Sequence, residues 1–332
     1  MHPLLWLFWN QVEDRLRAGW RVLIHLVCYL YAPPMLNWAI GQPISLFLAR
    51  TLPELAPLSD RLTLFALRLV AVLLSTWLVV RLIDRRPWSQ MGLQFDRPWW
   101  GDWLFGLLLG ALLMSFVFGV EYVAGWVRVR DRFVVDTSTL PFAVALIGPL
   151  VVSLVISIIE ELLARGYQLR NMAEGLNMPQ IGPARAIIAS WVISSSLFGL
   201  LHVFNPNATW LSILYLMLTG VFFGLGYVLT GRLGLPIGLH FAWNFFQGNV
   251  YGFPVSGNIF GGATVLMIEQ GGPPLWTGGA FGPEAGLLGI AAILLGCLLT
   301  LLWVKARYQG VAFHLPLACY RPLHASTPRQ EP

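Results

Sequence analysis

The sequence predicts an all-α integral membrane protein, folded as a bundle of about eight transmembrane helices. Of its 332 residues, 57% are hydrophobic and 11% are charged, whereas an average soluble domain is about 25% charged. Uncharged stretches such as Val22–Ala49 and Ala285–Val304 are long enough for a helix that crosses the hydrocarbon core of a bilayer. This composition excludes a soluble globule, a disordered chain and a nucleic-acid-binding domain, and it makes the lipid bilayer the expected partner.

The uncharged runs define the helices in chain order. The run Ala186–Gly231 is too long for one span, and Asn205-Pro206-Asn207 divides it, because Pro ends a helix and Asn favours a turn. From Tyr251 to about Glu284 the chain is rich in Gly and Pro, so a long loop is expected there. The eight helices are predicted roughly at residues 22–46, 62–82, 103–124, 140–172, 186–205, 209–230, 234–252 and 285–305.

This helix pattern divides the chain into three parts. Residues 1–135 carry three transmembrane helices, residues 136–252 carry four, and residues 253–332 hold the Gly-rich loop, the last helix and a tail. If the N-terminus lies inside, 15 Arg and Lys residues fall on the inner segments and 5 on the outer segments. By the positive-inside rule both termini are cytoplasmic, although the cluster Arg128–Arg132 on an outer segment weighs against this orientation.

The most informative polar residues follow the uncharged run Thr137–Ile159. Glu161 and Arg165 are four residues apart and share a helix face, so they are expected to form an ion pair. Glu160 points about 100° away and finds no cation at helical spacing. A carboxylate left without a counter-ion among apolar side chains can act as a base. The other interpretation is that Glu160 lies at the end of its helix and reaches into water.

Two further polar pairs occur on later helices. Phe198 and His202 are four residues apart, and so are His240 and Asn244. Taken singly, each has an ordinary explanation, because a buried histidine can bind a backbone carbonyl and an asparagine can join two membrane helices.

Other intramembrane polar or small residues look structural. Arg68 and Glu121 have no polar neighbour at helical spacing and are expected to pair with each other or to lie at the interface. The spacings Gly106-x3-Gly110 and Gly220-x3-Gly224 predict faces where two helices pack closely.

Together, the three motifs place two carboxylates, two imidazoles and an amide on successive helices. The chain has no GxSxG elbow, no Walker loop and no HExxH motif. Acid–base chemistry with water is the simplest use of such a set, with a glutamate as base and with imidazole and amide groups that stabilise an oxyanion.

In order and spacing, these motifs resemble those of the CPBP intramembrane endopeptidases, a family that includes the CaaX prenyl endopeptidases and bacterial proteins linked to lysostaphin resistance. The stretch Thr277–Glu284 also looks like one found in bacterial members. The resemblance covers about Leu140–Gly252, so that residues 136–252 would be the catalytic core. It implies a hydrolase that cleaves a membrane-associated protein or peptide. An Arg-rich chain whose single lysine is Lys305 favours a bacterial plasma membrane.

The resemblance also implies a role for each motif residue. Glu160 would activate the water and His202 would help to hold it. His240 and Asn244 would form the oxyanion site, and Glu161, Arg165 and Phe198 would support the others. Relatives are often described as metalloproteases, and Glu160, His202 and His240 are the residues that could hold zinc. A metal-free glutamate mechanism uses the same groups and is our expectation.

A shared site sets a geometric condition. If the fourth helix ended at Arg165, Glu160 would lie near the inner face and far from His202, so we expect this helix to continue through Arg170. Two non-peptidase functions also stay open, a non-catalytic scaffold of the bacteriocin-immunity type and a transporter with a Glu and His proton relay. The latter is disfavoured because no inverted repeat is evident.

Overall fold

The computed structural model describes residues 5–53, 56–136 and 140–322, except for the side chains of residues 5, 6 and 57. It is a helical bundle with a two-stranded sheet at one end and a short antiparallel pair, Trp9–Asn10 with Arg15–Leu16, near the N-terminus. Seven helices in this part of the chain are long and apolar enough to span a membrane. They are α1 Ala18–Thr51, α2 Leu58–Ile83, α3 Arg97–Val123, α4 Phe142–Leu176, α5 Pro183–Leu200, α6 Trp210–Thr230 and α8 Leu287–Tyr308.

The predicted helix 234–252 is present but differs from the other spans. It consists of α7, Gly234–Phe245, and a π-helical extension Phe246–Val250. Every residue from Gly234 to Asn244 is buried. A helix that is apolar and buried on all sides lies inside a bundle and not against lipid. The prediction of about eight helices therefore corresponds to seven long apolar helices and one shorter internal helix.

Glycines let α3 and α7 pack backbone to backbone. An added Cβ at Gly110 would lie 2.6 Å from the carbonyl oxygen of Leu239 and 2.8 Å from the backbone nitrogen of Trp243. On the other helix, a Cβ at Gly238 would overlap the carbonyl oxygen of Trp103. The predicted close-packing role of the Gly106-x3-Gly110 face is thus confirmed, and this contact fixes α7 in the centre of the molecule.

Gly238→Ala is expected to destabilise the protein by about 1–3 kcal/mol, because the backbone of Trp103 cannot move aside without separating α3 from α7. Gly119→Ala is the matched control, since a Cβ at Gly119 meets no atom within 4 Å and alanine favours a helix. Thermal unfolding of both variants in detergent measures the difference. Equal melting temperatures would contradict the packing argument.

Helix α4 is continuous past the acidic motif, as the sequence analysis required. It runs over 35 residues, or about 52 Å at 1.5 Å per residue, and Leu162–Leu169 is π-helical. Glu160 therefore lies near the middle of a helix. All eight residues of the π-helical segment are buried, so the widened turn is held by packing on every side.

The turn between α5 and α6 corrects one expectation. Helix α5 ends at Leu200, five residues before the predicted end at 205, and His202 lies in the turns that follow. The division at Asn205–Asn207 is confirmed: Asn207 has a φ of 59°. Helix α6 then starts at Trp210, where the Thr209 side chain caps the backbone of Ser212.

The segment expected to be a long loop, 251–284, contains a strand. Strand β2, Ala263–Gln270, pairs antiparallel with β1, Val127–Val135. The alternation of valine and arginine from Val127 to Arg130 has the period of two that is typical of a strand. The pairing places the connection after α3 and the connection after α7 at one end of the bundle, which we call the hairpin end.

The two termini meet at the opposite end, which we call the termini end. The guanidinium of Arg15 lies 3.4 Å above the ring of Tyr320, and the same side chain binds Glu174 at 2.9 Å. The Tyr320 hydroxyl donates to the backbone carbonyl of Arg85 at 3.3 Å. The start of the chain, the end of α2, the end of α4 and the segment after α8 are therefore joined. The last part of the predicted tail, 323–332, lies outside the described residues.

Candidate active site

The three sequence motifs meet at one cavity of about 390 Å³. Its walls come from α1, α2, α4, α5, α6, α7 and the segment that follows α7. Five of the predicted site residues line it, namely Glu160, Phe198, His202, His240 and Asn244. The other two, Glu161 and Arg165, are fully buried behind the wall. The structure therefore brings together side chains that lie up to 84 positions apart, from Glu160 to Asn244.

Glu160 is the acidic group of α4 that reaches the cavity. Its Oε2 lies 3.9 Å from Nε2 of His240. Its side chain is 22% exposed, whereas that of Glu161 is 0% exposed. In the described part of the chain Glu160 has no Arg or Lys nitrogen within 4 Å. The carboxylate is thus open to the cavity and makes no close ion pair with a described Arg or Lys side chain.

Glu161 orients a histidine as well as an arginine. The Glu161 Oε1 atom accepts from Nη1 of Arg165 at 2.8 Å and lies 2.9 Å from Nδ1 of His240. Arg165 also donates to the backbone carbonyl of Gly220 at 2.6 Å. The predicted Glu161–Arg165 pair is confirmed. The Glu161 carboxylate can only accept, so Nδ1 of His240 donates to it, and the other ring nitrogen, Nε2, lies on the side of Glu160.

His202 reaches the same cavity from the turn beyond α5. Its Nδ1 lies 2.8 Å from the carbonyl oxygen of Phe198. A carbonyl oxygen can only accept, so Nδ1 carries the proton and Nε2 remains free.

The Phe198 ring lies between the other motif residues. Its centroid is 5.0 Å from the His202 ring and 6.1 Å from the His240 ring, and the Arg165 guanidinium lies 4.8 Å from it. Phe198 therefore sets the spacing of the two imidazoles, and the Arg165 contact is a cation–π interaction.

Arg68 is a cavity residue that sequence reasoning treated as structural. It lines the cavity together with Tyr29 of α1, and its Nη2 donates to the Tyr29 hydroxyl at 3.3 Å. Of the two predicted alternatives, pairing of Arg68 with Glu121 is excluded, because Glu121 instead accepts from Gln270 of β2 at 2.8 Å. The only sequence signal for Arg68 was a charge inside an apolar span, and its partner could not be named from helical spacing.

Glu284 belongs to the wall at the hairpin end. Its carboxylate accepts from the backbone nitrogen and the hydroxyl of Ser256, and from the side chain of Gln247. Burial raises the pKa of Glu284 to about 7, so this carboxyl group is partly protonated near neutral pH. These bonds hold the segment after α7 against the cavity. The resemblance of Thr277–Glu284 to bacterial relatives was the available signal.

The predicted zinc ligands do not form a ready metal centre. Among the described residues, no group of three or more His, Cys, Asp or Glu side chains is placed to hold a metal ion. One nitrogen of each imidazole is already engaged, Nδ1 of His202 by Phe198 and Nδ1 of His240 by Glu161. A bonded Nδ1 leaves Nε2 as the ring nitrogen that can take part in chemistry, and in metal-ligating histidines Nδ1 usually has such a partner too.

Comparisons with known proteins agree with the motifs. Residues 141–246, about a third of the chain, match the Rce1-like family, described as type II CAAX prenyl endopeptidase Rce1-like. All seven predicted site residues lie in the matched segment. No curated protein and no solved structure matches the chain. The predicted family resemblance is confirmed over this segment, and it indicates a membrane-embedded protease.

Proposed function

We propose that this protein is an intramembrane peptidase that uses Glu160 to activate water and hydrolyses a peptide bond of a membrane-associated protein. One observation carries the proposal: an open carboxylate faces an oriented imidazole inside a cavity that also holds His202 and Asn244. The match to Rce1-like endopeptidases over residues 141–246 supports the same reaction class.

The first step follows from the position of Glu160. Its carboxylate takes a proton from a water molecule in the cavity, and the resulting hydroxide attacks the carbonyl carbon of the substrate. The free Nε2 of His202 accepts a hydrogen bond and helps to hold this water. The carbonyl oxygen becomes an oxyanion, and a tetrahedral intermediate forms.

Donors from α7 would then stabilise the oxyanion. Asn244 lies one turn after His240 and supplies a neutral amide N–H. His240 serves as a second donor when Nε2 also carries a proton, and the Glu161 carboxylate at Nδ1 keeps the ring in place. The proton taken up by Glu160 passes to the leaving amine, so that the carboxylate is regenerated and the peptide bond is broken.

The cellular test compares membrane peptides from cells that express the wild type or Glu160→Ala. Cleaved peptides whose amount falls in the variant are the products expected of a peptidase, and their uncleaved precursors, which accumulate, are its substrates. If the cellular phenotype and the peptide set are both unchanged, the scaffold function replaces the proposed one.

The metal-free mechanism predicts that the pure protein contains no stoichiometric zinc and that its cleavage rate changes less than about twofold after chelation. The physical reason is that, in the described part of the chain, Glu160, His202 and His240 are not grouped closely enough to surround one metal ion. Metal analysis of the purified protein, with activity before and after chelation, measures this. One zinc per chain, lost together with activity, would overturn the metal-free route.

A further inference from the structure

The side of the membrane on which the cavity opens follows from the contacts at the two ends of the bundle. At the hairpin end, β1 follows α3 and β2 follows α7, and the two strands pair over Val127–Val135. Arg61, near the start of α2, also lies at this end, where its side chain binds the carbonyl oxygen of Gly261. The helix termini that lie near the sheet are therefore at the same face of the membrane.

The cavity is walled by segments from the hairpin end. The turn before α6 contributes Asn205, whose side chain donates to the carbonyl oxygen of Ser256 at 2.8 Å. The segment after α7 contributes Val255, Ser256 and Asn258, and Asn258 is exposed. Glu284, in the turn just before α8, anchors this segment. The opening of the cavity therefore lies towards the hairpin end and away from the termini.

The basic residues are concentrated at the other end. Five Arg residues lie at the hairpin end, namely Arg50, Arg61, Arg128, Arg130 and Arg132. Thirteen Arg and Lys residues in the described part of the chain lie at the termini end, namely Arg15, Arg17, Arg21, Arg81, Arg85, Arg86, Arg97, Arg170, Arg185, Arg232, Lys305, Arg307 and Arg321. The positive-inside rule then makes the termini end cytoplasmic.

We propose that the catalytic cavity opens on the extracytoplasmic side of the membrane, and that its substrates are peptide segments of membrane-anchored proteins at the outer leaflet. The inference rests on the proposed peptidase function for its substrate class, but the sidedness stands on the structure and the charges alone. A segment held at the cytoplasmic surface would have to cross the floor of the cavity, where Gln168 is 3% exposed and Ala164 is also 3% exposed.

Cysteine accessibility tests the orientation, and the chain carries its own control. Cys319 is exposed at the termini end, whereas Cys28 and Cys297 lie in α1 and α8. With Cys28→Ala and Cys297→Ala, Cys319 is expected to react with a membrane-impermeant maleimide only after the cells are opened. In a cysteine-free background, Asn258→Cys is expected to react in intact spheroplasts.

The reverse pattern, with Cys319 labelled from outside and Asn258→Cys protected, would overturn the proposal. Ile259→Cys is a second probe in case Asn258→Cys does not fold, because Ile259 is 76% exposed. It neither lines the cavity nor bonds to Glu284. Labelling of both ends, or of neither end, would also contradict a single fixed orientation with an outward cavity.

Proteoliposomes separate this inference from the function. Cysteine labelling first determines the orientation of the protein in the vesicles. The peptide substrate is then either added outside the vesicles or enclosed inside them. Cleavage that depends on Glu160 is expected only on the side where Asn258→Cys reacts. If the labelling follows the expected pattern but no membrane peptide is cleaved, the peptidase function is contradicted and the orientation stands. If Glu160-dependent cleavage occurs from the side of Cys319, the outward opening of the cavity is contradicted and the peptidase function stands.

Discussion

Glu160→Gln is expected to lower the peptidase rate of the purified protein by about 10³-fold or more, with the fold preserved. A general base contributes about 10²–10⁴-fold to a rate, and the amide of glutamine keeps the shape of the side chain but cannot take a proton from water. The stability should change little, because the ion-pair geometry of Glu160 is limited to a long contact with the His240 ring at 3.9 Å. The measurement is cleavage of a membrane peptide by protein in lipid, with kcat and KM determined separately.

The matched control for this substitution is Glu121→Gln. Glu121 is also a membrane carboxylate, but it bonds to Gln270 at 2.8 Å and does not line the cavity. Its substitution is expected to leave kcat within about threefold, below the range of a lost general base. A Glu160→Gln protein that cleaves at the wild-type rate would eliminate Glu160 as the base, whatever the behaviour of the control.

Glu174→Gln is expected to destabilise the protein by about 3–5 kcal/mol, the range for removal of one partner from a buried ion pair. Glu174 accepts from Arg86 at 2.5 Å and from Arg15 at 2.9 Å, and it lies 3.3 Å from Arg170. Arg15 and Arg86 are both 0% exposed. Without the carboxylate, their guanidinium groups would keep their desolvation cost and lose their main counter-ion.

Glu269→Gln is the control for the loss of an ion pair. Glu269 binds Arg130 on the exposed sheet, where both side chains are 58% exposed, and such pairs contribute no more than about 1 kcal/mol. Unfolding in mixed detergent, followed by tryptophan fluorescence, gives both free energies. If the Glu174 and Glu269 variants have equal free energies of unfolding, the buried ion pairs of Glu174 do not stabilise the bundle.

The same experiment separates stability from catalysis. Glu174 lies at the termini end, and it is absent from the walls of the catalytic cavity. Glu174→Gln protein that remains folded should therefore cleave with a KM close to that of the wild type, whereas Glu160→Gln should remain stable and inactive.

Features that arise within one helix were predictable from the sequence. The Glu161–Arg165 pair follows from a spacing of four residues, and the structure has it at 2.8 Å. The length of α4 followed from the requirement that Glu160 share a site with His202, and the helix does continue to Leu176. The glycines of α3 were predicted to form a packing face because a spacing of four places both on one side of the helix, and both contact the backbone of α7.

Features that depend on two distant segments were missed or only partly foreseen. The bond from His240 to Glu161 joins α7 to α4 across 79 positions, and no periodicity encodes it. The burial of Arg15 against Glu174 spans 159 positions. Arg68 seemed structural because its partners on its own helix are apolar, while Tyr29 approaches it from α1.

The sequence by itself determined that this chain is a membrane protein, where most helices run and which side chains are candidates for the site. Those conclusions rest on apolar run length and on neighbours within one helix, which are local properties of the backbone. The tertiary structure alone decided that α7 is internal, that His202 lies in a turn, that Glu284 holds a wall of the cavity, and that this wall belongs to the hairpin end. These depend on how helices pack against one another, and packing is set by shape and burial across the whole bundle.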